Sequence, residues 1–332
     1  MHSAWLTLAV ILLVAFVFEL INGFHDTANA IATSVYTRAL TPRMAIALAA
    51  VMNFLGALIS EHVAKTFTSG IVSVHLQEYV IVATLIGAIL WNLITWWLGL
   101  PSSSSHALIG SLMGASIVFS WSFDHLMWTG ILQKVVIPLF TSPFLGLFLA
   151  YLLMKLINRL CKGFSHRRVS NVFLRLQIIS AALMAFSHGT NDAQKTMGII
   201  TLAMITAGIL PQDAGVPILV KLVCAFTMCL GTSVGGWKIM STMGRGVTRL
   251  EPASGFAAQT TAAAVIEAMS FLGAPISTTH VITSAVMGVG SARRTSAVNW
   301  IKARDIVTTW VITLPLAALL GGFVCFILKF FF

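Results

Sequence analysis

Hydrophobic residues occupy long stretches of this 332-residue chain, and polar residues are confined to short segments between them. Most stretches match or exceed the roughly 20 apolar residues that a helix needs to cross a bilayer. The pattern therefore predicts an all-α polytopic membrane protein with about ten crossings, at residues 5–37, 42–59, 80–98, 101–119, 130–157, 173–208, 216–237, 252–272, 275–291 and 306–331.

The composition excludes an ordinary soluble globule, because 58% of the residues are hydrophobic and only 9% are charged, against about 25% charged in soluble domains. The formal net charge is +10, and the basic residues form short clusters between apolar stretches. The preference of basic loops for the cytoplasm explains these clusters, so no nucleic-acid partner is expected. The four cysteines lack the spacing of a metal site, and no metal or other cofactor is expected.

Two of the apolar stretches are interrupted by polar residues. The stretches at 5–37 and 173–208 are far longer than one crossing needs, and they contain the polar segments 22–29 and 187–195. Polar, glycine-containing backbone is tolerated at membrane depth only where it is buried in protein or lines a cavity. The sequence therefore predicts a broken helix at each segment.

The chain repeats its own plan. Asp26 and Asp192 each follow a glycine at the same distance, and the segment GLPSSSSH at 99–106 returns as GAPISTTH at 273–280. Similar offsets along the chain indicate two related halves. We therefore divide the chain into a first repeat, a basic connector and a second repeat, at residues 1–157, 158–172 and 173–332.

Loop charges indicate that the two halves are inverted. The first half has a basic loop followed by two acidic ones, and the second half has an acidic loop followed by two basic ones, at 38–43, 61–79, 119–130, 208–217, 238–251 and 293–305. With basic loops in the cytoplasm, each half has five crossings. Both termini are then predicted outside, and the connector is predicted inside.

Inverted repeats with paired polar interruptions are typical of secondary transporters, which bind substrate and ions where the repeats meet. The chain has no phosphate-binding loop of the ATPase type, so we expect an ion gradient to drive transport. A membrane-embedded hydrolase with His106 as base and Asp26 as its orienting group is the alternative from another class. Duplicated, inverted motifs suit transport and offer catalysis no advantage, so an enzyme is not expected.

Asp26 and Asp192 are carboxylates at predicted membrane depth, where a charge costs about 3 kcal/mol on insertion scales and is retained for function. Carboxylate, amide and carbonyl oxygens suit small cations. Asp26 and Asn29, with carbonyls freed at Gly23 and Phe24, can therefore hold Na⁺, or Asp26 can accept a proton. The alternative is a buried aspartate that caps a half-helix.

Lys195 distinguishes the second half from the first. Aligned on Asp26 and Asp192, it takes the place of Asn29 and lies three residues after its aspartate, on the same helical face. An ammonium group there occupies the space of a bound cation. We expect Lys195 to be a fixed counter-cation to Asp192 that favours coupling to H⁺ over Na⁺. The alternative is a lysine that extends to the membrane interface.

Each hydroxyl motif places a proline before a serine or threonine run, which indicates a helix start. Helix N-termini present free N–H groups and the positive end of the helix dipole. Two such termini that converge from opposite leaflets make an oxyanion site without an arginine. The candidate ligands are Ser103, Ser104, Ser105, Thr278 and Thr279. The alternative is that these hydroxyls only join membrane helices.

Further polar residues lie near the hydroxyl motifs. His106 and His280 end the motifs and can orient the site or relay protons, and ordinary packing histidines are the alternative. Gln259 can contribute an amide to the ligand. Glu267 has no symmetry mate, because Leu93 takes its place in the first half, and it receives no role.

The expected anion follows from hydrogen bonding. Monohydrogen phosphate carries a hydroxyl that can donate to an ionised aspartate, whereas sulfate only accepts hydrogen bonds and is repelled. The pairing of aspartates with a hydroxyl-lined site therefore favours phosphate. A sulfate or other oxyanion permease of the same fold is the alternative.

Four segments of the chain resemble the inorganic phosphate transporter (PiT) family in its compact bacterial form: INGFHDTANAIAT, FSHGTNDAQKTMG, GLPSSSSHALIG and GAPISTTHVIT. The resemblance covers essentially the whole chain. It implies a multi-pass protein of the bacterial inner membrane with an inverted-repeat fold. It also implies a homodimer that takes up phosphate with H⁺ or Na⁺, in bacteria often as a neutral metal–phosphate complex.

The resemblance also implies roles for individual residues. The ion and phosphate positions of the family match Asp26, Asn29 and Asp192, and its hydroxyl positions match Ser104, Ser105, Thr278 and Thr279. The chain departs from sodium-coupled members at His25 and Lys195, where those members usually have asparagine. The departure agrees with the expectation of proton coupling.

Overall fold

The structure is a computed structural model that describes residues 2–72 and 76–331. Over this part of the chain the fold is all-α, as predicted, and its only strand-like pairs are two isolated β-bridges. A short π-helical segment joins α6 to α7. The helices are α1 (His2–Tyr36), α2 (Pro42–Ala57), α3 (His62–Ser69), α4 (Glu78–Leu98), α5 (Ser104–Ser120), α6 (Trp128–Ile131), α7 (Ile137–Leu160), α8 (His166–Thr206), α9 (Ile218–Val234), α10 (Trp237–Gly246), α11 (Pro252–Phe271), α12 (Thr278–Arg293) and α13 (Trp300–Leu328).

Each predicted apolar stretch contains a helix of the structure. Five helical segments within the described residues are long and apolar enough to cross a membrane, and the bent pair α2–α3 makes a sixth if it counts as one span. The helices α5 and α9 are apolar but shorter. The five segments are Thr7–Tyr36, Glu78–Leu98, Trp128–Leu160, His166–Thr206 and Trp300–Leu328.

The predicted breaks in the two longest helices are wrong. Both α1 and α8 are continuous through their polar segments, so no break frees the carbonyls of Gly23 and Phe24. The glycines serve close helix contact instead: a Cβ on Gly23 would lie 2.7 Å from the carbonyl oxygen of Met228 on α9. A Cβ on Gly189 would overlap the backbone of α2. The polar side chains find partners on other helices, so the backbone has no need to open.

Two helical hairpins place the hydroxyl motifs. In α4–α5 and α11–α12 the first helix ends at a left-handed glycine, Gly99 or Gly273, with φ of 68° and 69°. The second helix then begins inside the motif, as predicted. Antiparallel bridges, Val72 with Leu126 and Thr248 with Val298, join the chain before and after each hairpin. The motifs therefore lie at the two hairpin tips.

A threonine holds each tip glycine from the other half of the chain. Thr66 on α3 donates its hydroxyl to the carbonyl of Gly273, at 2.6 Å. Thr242 on α10 donates in the same way to the carbonyl of Gly99, at 2.9 Å. We call these two contacts the tip latches. They are equivalent in the two halves, which agrees with a repeated architecture.

The apolar core forms two clusters along the length of α1 and α8. The first cluster includes residues 8–18 of α1 and 193–203 of α8, and the second includes residues 28–32 of α1 and 173–185 of α8. Buried polar side chains occupy the middle of both helices. The two hairpin tips meet each other, because Ser105 on the first donates to the carbonyl of Ile276 on the second, at 3.0 Å. Both tips also contact the polar layer, through Lys195 of α8.

Candidate functional site

Asp26 lies in the polar layer and is 2% exposed. Its Oδ1 is 2.9 Å from Nδ1 of His25 and accepts the hydroxyl of Thr279 at 3.1 Å, and its Oδ2 accepts the hydroxyl of Ser104. The other nitrogen of His25 is 3.1 Å from the hydroxyl of Thr95. Both hairpin tips thus reach the first aspartate, Ser104 from α5 and Thr279 from α12.

Asp192 is the matching carboxylate on α8 and is fully buried. Lys195 forms an ion pair with its Oδ1. Its Oδ2 accepts the hydroxyl of Thr278 at 3.1 Å and lies 3.0 Å from Nε2 of His188. The counter-cation geometry expected of Lys195 is therefore present, and Lys195 does not extend toward solvent, since only 1% of the residue is exposed.

Lys195 also ties α8 to both tips. Its ammonium group donates to the hydroxyl of Ser105 and, at 3.1 Å, to the carbonyl of Ile276. Asn29, its equivalent on α1, donates to Thr279 at 2.8 Å. The Oδ1 atom of Asn29 is buried and has no hydrogen-bond partner among the described residues, so one acceptor at the centre of the site is spare.

The tip hydroxyls divide into two groups. Ser103 and Ser277 cap their own helices, accepting the backbone N–H groups of His106 and His280 at 3.2 Å each. The hydroxyl of Ser103, a predicted ligand, is thus directed to its own helix. The other predicted hydroxyls contact Asp26, Asp192 or Lys195, and they belong to Ser104, Ser105, Thr278 and Thr279.

Four predicted polar residues lie outside this cluster of contacts. The amide of Gln259 bonds to Ser34, to Ser180 and to the carbonyl of Ala30, so it joins α11 to α1 and α8. Glu267 is exposed on α11. The other two are the motif histidines, His106 and His280, whose ring centroids lie 4.8 Å apart.

Two candidate functional residues were not predicted from the sequence. His188 precedes Asp192 by one helical turn, so its side chain shares the face that carries the carboxylate. Glu19 is fully buried on α1 and bonds to Thr196 on α8. Glu19, Asn22 and Asp26 recur at the spacing of one helical face, and that spacing is the signal that could have identified Glu19 within its apolar stretch.

Asp26, His188 and Asp192 have the geometry of a cation site. One ligand atom from each lies within 4.8 Å of the others, and all three residues are buried. Nδ1 of His188 is 3.0 Å from Oδ1 of Asn53, whose amide nitrogen donates to Thr27 and Thr232. The network thus places a proton on Nδ1, because Oδ1 of Asn53 can only accept, and it directs Nε2 toward Oδ2 of Asp192. An imidazole nitrogen beside two carboxylates is a ligand set that suits a cation.

Comparison with known proteins places this site in context. The model of the phosphate transporter family matches residues 22–167 and 161–321. A "probable low-affinity inorganic phosphate transporter" of Bacillus subtilis is 48% identical over 326 residues, which are 97% of each chain. A protein of the same name from Rhizobium meliloti is 46% identical over 311 residues, 93% of this chain and 92% of the relative.

A solved structure of a phosphate transporter has a fold similar to that of this chain. The structure titled "The sodium-dependent phosphate transporter" superposes with a TM-score of 0.90 at 28% identity, over 98% of this chain and all of that one. The relatives are transporters and not enzymes, as expected for this chain, and its apolar helices make it a multi-pass membrane protein. The match extends through both halves and includes both aspartates and both hydroxyl motifs. The chain belongs to the phosphate transporter family.

Proposed function

We propose that this protein imports inorganic phosphate across the bacterial inner membrane by symport with a cation, H⁺ in preference to Na⁺, and by alternating access. One observation carries the proposal: hydroxyls from both hairpin tips bond directly to the two buried aspartates. The substrate site is therefore assembled from both halves of the chain, as alternating access requires.

Phosphate fits this arrangement through exchange of hydrogen bonds. A bound monohydrogen phosphate accepts hydrogen bonds from the tip hydroxyls and from the N–H groups at the starts of α5 and α12. Its own hydroxyl donates a hydrogen bond to a carboxylate. Sulfate cannot make the last bond. The relatives named as phosphate transporters agree with this choice of anion.

Lys195 supports proton coupling. Its ammonium group already neutralises Asp192 and contacts the second tip, so a sodium ion at that aspartate would face a like charge. The sodium-dependent transporter of similar fold makes Na⁺ the competing cation, and transport assays can distinguish the two.

The cation geometry of Asp26, His188 and Asp192 supports a metal–phosphate complex as substrate. Carboxylate and imidazole ligands together suit divalent transition metals. A divalent ion held there would face the Lys195 ammonium as well, and the phosphate that the tip hydroxyls bind beside it would offset that repulsion while the ion neutralises the phosphate. The metal is then cargo that crosses with phosphate.

Uptake of radiolabelled phosphate into proteoliposomes tests the proposal, with the pH and Na⁺ gradients imposed separately. We expect accumulation with an inward pH gradient, competition by arsenate and weak competition by sulfate. Asp26→Asn and Asp192→Asn should abolish uptake while the protein stays folded, and Asp124→Asn, in an exposed loop, is the matched control. Uptake that requires Na⁺ and ignores the pH gradient would overturn proton coupling, and equal competition by sulfate would overturn the choice of anion.

A further inference from the structure

Glu19 is a buried carboxylate that the substrate contacts described above do not use. It is 0% exposed and lies two helical turns before Asp26 on the same face of α1. Its Oε2 accepts the hydroxyl of Thr196 on α8. Its Oε1 has no hydrogen-bond partner within residues 2–72 and 76–331.

The ionisable groups around Glu19 do not compensate its charge. On α8, Asp192 and Lys195 act on it electrostatically, but these two already pair with each other. On α9, the thiol of Cys224 lies within electrostatic range of the carboxylate. On its own helix, the next carboxylate is Asp26, of the same sign. An ionised Glu19 is therefore an unpaired charge, which a buried site disfavours.

The local contacts of Glu19 accept either protonation state. A hydroxyl such as that of Thr196 donates to a carboxylate and accepts from a carboxylic acid. The amide nitrogen of Asn22, one helical turn after Glu19 on the same face, is also buried and without a hydrogen-bond partner among the described residues. The Oδ1 of Asn22 accepts the hydroxyl of Ser104 on the first tip at 2.8 Å. Glu19 is thus one residue removed from a hydroxyl that touches Asp26.

From these contacts we propose that Glu19 is a proton-binding site of the transport cycle, a third carboxylate beside Asp26 and Asp192. It takes a proton from hydronium on one side of the membrane, as one O–H bond of the hydronium breaks and one O–H bond forms at the carboxylate, and it returns the proton to water on the other side by the reverse step. A sodium ion is a poorer occupant, because the oxygen of Asn22 is already engaged by Ser104. The equivalent position in the second half is Ala185, so only one half carries this proton. The inference rests on the proposed proton symport.

The test compares phosphate accumulation with phosphate exchange in proteoliposomes. Glu19→Gln keeps the shape of the protonated side chain and removes the exchangeable proton. Each coupled proton supports about tenfold accumulation per unit of pH gradient at equilibrium. We therefore expect this variant to lose about tenfold in the accumulation ratio under a gradient of one pH unit. Exchange of internal for external phosphate, which needs no net proton movement, should fall far less.

Two controls separate the outcomes. Glu78→Gln, at the start of α4, changes the same side chain outside the site and should accumulate phosphate as the wild type does. Glu19→Asp restores an acid and should recover part of the response to the pH gradient. Wild-type protein that does not respond to the pH gradient would refute proton symport itself. A wild type that responds, together with a Glu19→Gln variant of equal accumulation ratio, would refute only the role of Glu19.

Discussion

The tip latches lead to a prediction about the balance between the outward-open and inward-open states. Thr66 holds the second hairpin tip from the side of the site that is predicted to face outside, and Thr242 holds the first tip from the side that is predicted to face inside. Each latch is one hydroxyl–carbonyl hydrogen bond, at 2.6 Å and 2.9 Å. Valine has nearly the same shape as threonine and removes only the hydroxyl. Thr66→Val should therefore favour the outward-open state, and Thr242→Val should favour the inward-open state.

The magnitude follows from the value of one such bond. Hydrogen bonds between membrane helices contribute about 0.6 kcal/mol on average, which is about threefold in an equilibrium constant. Each single variant should thus shift the ratio of the two states by about threefold, in opposite directions, and the double variant should return near the wild-type ratio.

Spin-label distances on the outer face measure this ratio. The labels are attached at Ser69 and Leu272, both exposed, in a chain whose four cysteines are replaced. Pulsed electron–electron double resonance then reports the fractions of short and long distances between the labels. Thr66→Ser keeps the hydroxyl and should leave the distribution as in the wild type. A shift of both valine variants in the same direction, or no shift in either, would refute the latch reasoning.

Three further predictions concern the site and its packing. Lys195→Asn gives the second half the asparagine that the first half has at Asn29, and it should make phosphate uptake respond to a Na⁺ gradient. Uptake that still does not respond to Na⁺ would contradict the role of the lysine. His188→Gln should weaken the stimulation of uptake by divalent metal ions more than tenfold, on the order of the effect of losing a ligand-orienting contact. Stimulation equal to that of the wild type would exclude the imidazole as a ligand. Gly189→Ala should lower stability by about 1–3 kcal/mol through overpacking against α2, whereas Gly246→Ala, whose nearest neighbour lies 3.9 Å from the new Cβ, should unfold in detergent at the wild-type temperature.

The residues that could be predicted are those whose role depends on local pattern. The helix starts at Ser104 and Thr278 follow from proline and hydroxyl residues in sequence, and the pairing of Lys195 with Asp192 follows from helical spacing. The continuity of α1 was not predictable in this way. The partners that satisfy Asp26 lie 78 and 253 residues away, so the polar segment looks unsatisfied when only its neighbours in sequence are considered.

Glu19 and Gln259 also show that local sequence does not reveal tertiary partners. Glu19 has polar surroundings that its sequence does not suggest, and Gln259 lacks the site contacts that its sequence does suggest. Glu19 stands alone in an apolar stretch, and only the approach of Thr196 from α8 reveals that its surroundings are polar. Gln259 lies near a hydroxyl motif in sequence, yet its amide reaches Ser34 and Ser180. Tertiary packing decides which polar groups meet, and the residues on either side of a polar group in the sequence do not show its partners.

The remote partners of Asp26 also have a consequence for biogenesis. Ser104 follows it by 78 residues and Thr279 by 253. At about 5–20 residues per second, the ribosome adds the last of these partners roughly 13–50 s after the aspartate. Among the contacts described for this carboxylate, the one to His25, synthesised immediately before it, is present from the start. A nascent chain in the membrane must therefore keep Asp26 neutral or hydrated for tens of seconds, and His25 is placed to assist it during that interval.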